Sequence, residues 1–361
     1  MIYLKRFVNK IMIDYKNILR KVRVLRYIVS TIRYLTAEFF FFFSNPRITH
    51  PSRQKKLSVT DYRVLSIDRP ILTPEFHYEN AYYGIGCALK QYAGLGTMYR
   101  IKASIEHGLL LNNYYWEKNL HAPLPGIMCI SSAHRTPFLR TMTNKKIFAV
   151  GPYIHYAPLL YDEEKMDLMR REMAPTLLVF PSHSCHNVDA DCSEPDEFLN
   201  EIKKIRCDYK TCLICLFWKD VNRGMAEIFK EIDCKFVTAG HMYDPAFLSR
   251  LRTIIELSDY TMSNEVGTHF GYCVHLRRPH YFVRSTIRYS GKKDEEKAVT
   301  DIGNSAEAIR LSAPFTQPGT TVTPQQQEVI DYFFGTSDVR TPEELRGVFS
   351  ELDSEFRAAT F

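Results

Sequence analysis

From Leu4 to Ile32 the apolar residues recur at steps of three and four, through Phe7, Ile11, Tyr15, Ile18, Val22, Leu25 and Val29. This is the period of one helix face, and it predicts an amphipathic helix lying on a surface. No apolar run approaches the roughly 18 residues of a membrane span, and the scattered cations lack a small-residue cleavage site, so neither a span nor an ordinary signal peptide is expected. Five consecutive phenylalanines, Phe39 to Phe43, follow, and then a polar, basic linker to about Lys56.

From about Tyr62 short apolar runs alternate with longer mixed segments. VLSI, IKASI, GIMCIS and KIFAVG read as strands, ENAYYGIGCALKQYAG as a helix, and Asp162 to Met173 as a charged helix ending before Ala174-Pro175. After a strand TLLVF and a loop PSHSCHNVDADCSEPD, the second half alternates helices with the strands TCLICLF, KFVTA, YTMS and HYFVR. Repeated strand-then-helix order predicts parallel sheets covered on both faces. The expected class is therefore α/β, with two doubly wound Rossmann-like domains, an N-terminal amphipathic helix and C-terminal helices. The expected boundaries are 1–56 for the leader and linker, 57–174 for the first domain, 175–288 for the second and 289–361 for a helical tail able to cross back to the first.

Composition narrows the picture. A chain of 361 residues exceeds what one core usually spans, and 45% hydrophobic with 24% charged residues excludes disorder and a membrane-spanning bundle. Nine cysteines at irregular spacings point to a reducing compartment, and Cys212 and Cys215, an i, i+3 pair in a strand, face opposite sides as core residues. The net charge is +6, yet the first 36 residues hold nine Lys and Arg against Asp14 alone, leaving the rest slightly acidic. A nucleic-acid partner is not expected from such a body. The basic leader is expected instead to hold the protein on an anionic membrane surface, peripheral on the cytoplasmic inner face, with a packing or dimerisation helix as the alternative.

Ligands of open α/β sheets bind beyond the carboxyl ends of the strands, so the residues just after each strand carry the chemistry. These include Glu106-His107-Gly108, His134, His155, Ser182-His183-Ser184, Lys219 and His241, and then Ser263-Asn264-Glu265-Val266-Gly267-Thr268. Five histidines at such positions describe a cleft between two lobes. The Ser263 to Thr268 turn, opening a helix, would present backbone N–H groups and hydroxyls to a diphosphate. Gly267 and Gly271 would let that helix pack close to the sheet. His183, His186, Asp189 and Asp191 could be read as metal ligands, but the loop lacks a scaffold to aim them, and no Asp-x-Asp stands at a suitable strand end. No metal and no cofactor are expected.

Ile105 to Gly108, IEHG, resembles the strand-end His-Gly of bacterial polysaccharide-biosynthesis glycosyltransferases of GT-B type, which act in capsule and lipopolysaccharide assembly. SNEVGTHFGYCVHLRRPHYF, from Ser263 to Phe282, resembles their donor-phosphate turn, helix and next strand, and the likeness covers about Glu79 to Arg284. It implies transfer from a nucleotide-sugar co-substrate to a glycan or lipid-linked acceptor. His107 would be the base, with Glu106 orienting it or substituting for it. Ser182, His183, Ser184, Lys219, His241, Ser263, Asn264, Gly267 and Thr268 would serve the donor. The competing readings are a nucleotide-sugar epimerase of the same fold and a non-catalytic glycan-assembly protein.

Overall fold

The computed structural model describes residues 28–29, 31–32, 34–36, 39–41, 57–71, 73–185, 188–192 and 195–358. Most of the expected leader helix lies outside them. In its described part Ile28, Ile32, Leu35, Phe39 and Phe40 are exposed, while Phe41 is buried with the Arg69 guanidinium over its ring. Among the described residues no helix is long and apolar enough to cross a membrane.

Two parallel sheets organise the chain, as the alternation of apolar runs predicts. The first holds β1 (Ala103–Ile105), β2 (Gly126–Cys129) and β3 (Lys146–Ala149) in that order. The second is built from β4 (Thr176–Phe180), β6 (Thr211–Cys215), β7 (Lys235–Val237), β8 (Tyr260–Ser263) and β9 (His280–Phe282), in the order β7-β6-β4-β8-β9. All its pairings are parallel. β5 (Val188–Cys192) and β10 (Ile287–Gly291) form a separate antiparallel ribbon.

The side-chain period of a strand decides which core each residue joins. In β2, Ile127 and Cys129 pack with Leu120 and Leu139, while Met128 and Ile130 point to the opposite face. There they meet Phe333 of the helix Pro324–Phe334 and Phe349 and Leu352 of the helix Pro342–Ala358, so the tail does return to the first sheet. In the second sheet Leu177, Val179, Cys212 and Ile214 face the helix Pro195–Arg206. Leu178, Phe180 and Leu213 face the same core as the first sheet's inner face. Cys212 and Cys215 lie on opposite faces, as their spacing predicts. The closing helix is well delimited: Thr323 and Gln326 form a reciprocal capping box, Pro324 opens the first turn and Gly335 closes it in the left-handed conformation.

Three local expectations need correction. VLSI is not a strand, because Tyr62–Leu65 makes a single helical turn in which the Asp61 carbonyl accepts from Val64 and Leu65. The loop after TLLVF contains β5, whose alternation of buried Val188 and Ala190 with Asp189 and Asp191 is the period-two signal of a strand. The helix expected from Glu79 begins only at Ile85. Ahead of it Tyr82 is extended and Tyr83 and Gly84 take positive φ, and at Gly84 an added Cβ would stand 2.3 Å from the Pro245 carbonyl oxygen.

Gly271 lets its helix approach another helix rather than the sheet. An added Cβ would lie 2.2 Å from the Phe334 ring. Gly271→Ala gains about 1 kcal/mol of helix propensity but forces apart a close-packed contact, so a net loss of about 1–2 kcal/mol is expected in urea unfolding. An unchanged or raised midpoint would contradict this packing.

Candidate active site

The order of the second sheet reverses between β4 and β8, and the crevice at their carboxyl ends is where open α/β sheets bind ligands. Two side chains from the β8 turn span it. Asn264 Oδ1 accepts from the Ser182 backbone N–H at 2.7 Å, and its Nδ2 donates to Ser285 Oγ at 2.9 Å. Glu265 Oε2 accepts from the His183 backbone N–H at 3.0 Å and lies 2.8 Å from His183 Nδ1, while its Oε1 accepts from the Tyr289 hydroxyl at 2.9 Å. Burial opposes the charge on His183, but the Glu265 carboxylate overrides it and raises the imidazole to about 9. Burial likewise opposes the charge on Glu265, and His183 holds its carboxyl below the usual range. A fixed ion pair therefore stands at the switch point.

Above this crevice opens a cavity of about 880 Å³, within the size range of small-molecule sites. Its second-lobe wall includes His183, Cys185, Lys219, Asn264, Glu265 and Arg284. The first-lobe wall includes Tyr78, Glu79, Tyr82, His107, Trp116 and Lys118, and the tail helix Lys293–Gly303 closes a third side. A smaller pocket of about 180 Å³ lies behind it, lined by His107, His183, Thr238, Thr268 and His269 among apolar residues.

His107 sits against three aromatic rings. Trp116 stacks on it at 5.5 Å between centroids, Tyr82 meets it edge-on at 5.0 Å, and Tyr83 lies at 6.0 Å. Burial lowers its imidazole to about 4, so the ring is neutral at pH 7, and Nδ1 has no hydrogen-bond partner among the described residues. Gly108 follows with φ +97°, and an added Cβ there would stand 2.7 Å from Thr268 Oγ1. That Thr268 oxygen accepts from the Leu109 N–H at 3.0 Å and so ties the two lobes together. The His-Gly pair is thus one residue aimed at the cavity and one that permits a close interlobe approach.

The structure brings His107, His183, Ser184, Lys219 and Asn264 to the large cavity and Thr268 to the pocket behind it. Several of the expected site residues, Ser184 among them, are held by interactions within the protein. Glu106 neither orients nor replaces His107, because its carboxylate makes a buried two-point pair with Arg135 at 3.0 and 2.6 Å. Removing one partner of such a pair costs about 3–5 kcal/mol. Ser184 Oγ donates to Asp220 at 2.6 Å and accepts from the Ala190 N–H. Ser263 Oγ is 3.0 Å from His280 Nε2, and Ser182 is buried with its N–H held by Asn264. Gly267 caps the helix Thr268–His275, and an added Cβ would lie 3.0 Å from His269 Nδ1.

Lys219 reaches the cavity wall but is paired with Asp189 at 2.7 Å. His241 is buried against Trp218, 3.1 Å from Asp68, and is lowered to about 4 by burial. His134 pairs with Glu307 and His155 faces His275, so two of the five strand-end histidines, not five, line the cleft. Of the residues that the sequence offers as metal ligands, Asp189 and Asp191 pair with Arg223, and His186 lies outside the described residues. Among the described residues no group of three His, Cys, Asp or Glu is placed to hold a metal.

Sequence reasoning missed Glu79, Tyr82, Trp116, Lys118 and Arg284. For Glu79 and Tyr82 the tyrosines from Tyr78 to Tyr83 are a visible signal, which a helical reading of that segment hides; Trp116, Lys118 and Arg284 carry none.

Compared with known protein families and with curated proteins, the sequence matches none. Similar solved structures include Staphylococcus aureus MnaA with UDP, 10% identical over 67% of this chain and 62% of that one, with a TM-score of 0.33. The wall teichoic acid polymerase TagF is 13% identical over 66% and 59%, with a TM-score of 0.34. A glycosyltransferase from Rickettsia africae is 10% identical over 71% of both chains, again at 0.34. The chain spans about six tenths of the length of the first two. At these scores the likeness carries no argument about activity.

The titrations set a pH profile. His183 lies above its ordinary 6.5, so its pair contributes stability that is fully present below about pH 6.5 and lost as pH rises through about 9. His107 and His241 lie below 6.5, so theirs is present above 6.5 and lost as pH falls towards 4. Stability should peak near neutrality. Because 41% of the His183 side chain is exposed, solvent screening keeps its part modest. His183→Gln should flatten the alkaline limb and leave the acid limb; denaturant midpoints across pH 4 to 9 check this, and an unchanged alkaline limb would remove the pair from the account.

Proposed function

We propose that the chain is a metal-independent GT-B glycosyltransferase that seats a nucleotide-sugar donor against the second sheet and passes the sugar to a hydroxyl of a growing surface glycan. The observation that carries this reading is the cavity of about 880 Å³ at the switch point, with cationic His183 on one wall and on the other neutral His107, whose Nδ1 has no partner among the described residues. A diphosphate is favoured beside a fixed imidazolium, with Arg284 on the same wall. Across the cavity, an acceptor hydroxyl gives its proton to His107 as its oxygen bonds to the anomeric carbon. The bond from that carbon to the phosphate oxygen breaks, and the nucleoside diphosphate leaves with its electron pair.

Support for a lipid-linked capsule or lipopolysaccharide acceptor comes from the leader. Its basic charge and apolar stripe adjoin the exposed Ile28, Ile32, Leu35, Phe39 and Phe40. Together these suit a cytoplasmic, peripheral position on an anionic membrane face.

His107→Ala should lower turnover by about a hundredfold or more with nucleotide affinity nearly intact, while His183→Ala should weaken nucleoside diphosphate binding about tenfold. Nucleotide titration without added metal and steady-state transfer assays check both. A strict need for magnesium, or return of an isomeric nucleotide sugar in place of transfer, would replace this reading, the latter with an epimerase.

Residues 1 to about 43 should bind anionic vesicles, with each basic residue contributing about 1 kcal/mol, and release them at high salt as the Debye length shrinks below about 8 Å. Co-sedimentation of the full chain and of a chain starting at Pro51 tests this. Equal binding by the two would make the leader a packing helix.

A further inference from the structure

The first-lobe wall has a feature that the transfer reaction above does not use. Glu79 is 4% exposed, yet its carboxylate lines the cavity, and Oε2 has no hydrogen-bond partner among the described residues. His77 Nε2 stands at ion-pair range, 3.7 Å from Oε2, and is itself engaged by Asn119 Oδ1 at 2.7 Å. Lys118 Nζ stands 3.4 Å from Oε1 and donates to the Tyr78 hydroxyl at 2.9 Å. Burial pushes the Glu79 carboxyl up, but His77, His107 and Lys118 outweigh it and hold it at about 2, so the group is an anion at any working pH. A buried carboxylate oxygen without a donor is costly, and it accepts only.

Around this acceptor stand aromatic rings of unusual exposure. Tyr78 is 39% and Trp116 37% exposed, although both border the cavity; Tyr82 links Tyr78 to His107, and Trp116 stacks directly on His107. Tyr82 is turned there by the backbone kink at Tyr82 and Tyr83. An aromatic face carries negative charge density, so it suits the weakly positive C–H face of a flat, hydroxylated ring. A carboxylate acceptor beside such faces suits the ring's hydroxyl edge. The combination describes neither a phosphate site nor a purely apolar pocket.

We propose that Glu79, Tyr82 and Trp116 form a subsite for a neutral pyranose, the acceptor-side sugar of the transfer reaction. Glu79 takes a hydrogen bond from a ring hydroxyl and Trp116 covers an apolar ring face, which presents a neighbouring hydroxyl to His107. A uronic acid binds less well, because its carboxylate would meet the Glu79 anion, whose charge Lys118 offsets only from the exposed side at 3.4 Å. Glu79 is a positioning residue on this account. The acceptor role rests on the transferase reading, whereas the sugar subsite is testable without it.

Saturation-transfer NMR on the full chain, with no nucleotide present, supplies the test, using neutral methyl hexopyranosides and the methyl glucuronide as probes. At least one neutral glycoside should bind, with the glucuronide about tenfold or more weaker. Glu79→Gln and Trp116→Leu should each weaken the neutral glycoside about tenfold while leaving nucleoside diphosphate affinity unchanged. If Glu79→Gln fails to fold, the comparison of glycoside with glucuronide on the unaltered chain, together with Trp116→Leu at a partly exposed position, still decides. Absence of binding by every neutral glycoside, equal binding of the glucuronide, or binding that survives both substitutions overturns the subsite. A chain that binds glycosides but no nucleoside diphosphate sinks the transferase reading and leaves the subsite standing.

Discussion

The inner faces of the two sheets meet in one apolar core, and the helices that seal it come from the end of the chain. Phe333 and Phe349 pack under the first sheet while Phe334 presses on Gly271 of the helix that follows β8. Interiors at this density do not slide continuously, so the carboxyl edges of two separate sheets are held at one spacing. That constraint gives His107 and His183, from different sheets, a fixed relation across the cavity. The Thr268 hydroxyl on the Leu109 N–H and the glycine contact at Gly108 finish the same task at the rim.

Strand positions were legible because a parallel strand buried on both faces is a short apolar run with polar ends, and TLLVF is buried throughout. The strand-end rule leads to the sheet edges at which the large cavity opens. It could not say which way each side chain turns. Polar groups just past a strand are recruited first to hold loops: Glu106 to Arg135, Ser184 to Asp220, Ser263 to His280. Each partner lies well away in sequence, so local reading could not foresee it. The reverse error hid Glu79 and Tyr82, which precede the first strand and entered the cavity wall through tertiary contacts alone.

Those contacts are specific. Tyr83 takes φ +56° although it is not glycine, and such a residue stores about 1–3 kcal/mol. Its N–H donates to the Met242 carbonyl at 2.6 Å and its ring packs on Phe247 at 5.1 Å, which offsets the cost. The Gly84 backbone lies under the Pro245 carbonyl, where no side chain fits. A helical continuation would have carried the Tyr82 ring away from His107. The Tyr82 ring of this distorted segment meets His107 edge-on in the cavity wall.

The two walls each carry a charged pair, with its members arranged differently. On the second lobe, His183 is kept cationic by Glu265, a pair that raises one group and lowers the other. On the first, Glu79 is an anion while His107 remains neutral through burial. Two unit charges 4 Å apart interact by about 4 kcal/mol at an effective dielectric constant of 20, enough to decide which end of a polar ligand faces which wall. Under the transferase reading a diphosphate would be drawn to Arg284 and to His183, whose charge Glu265 offsets in part, and repelled from Glu79. A proton accepted by His107 would make an imidazolium that Glu79 stabilises, since the carboxylate already acts to raise that pKa against burial. Under the transferase reading the same polarity that orders the two substrates also gives the abstracted proton a place to rest, and reversing it would require exchanging charges between lobes that share one core.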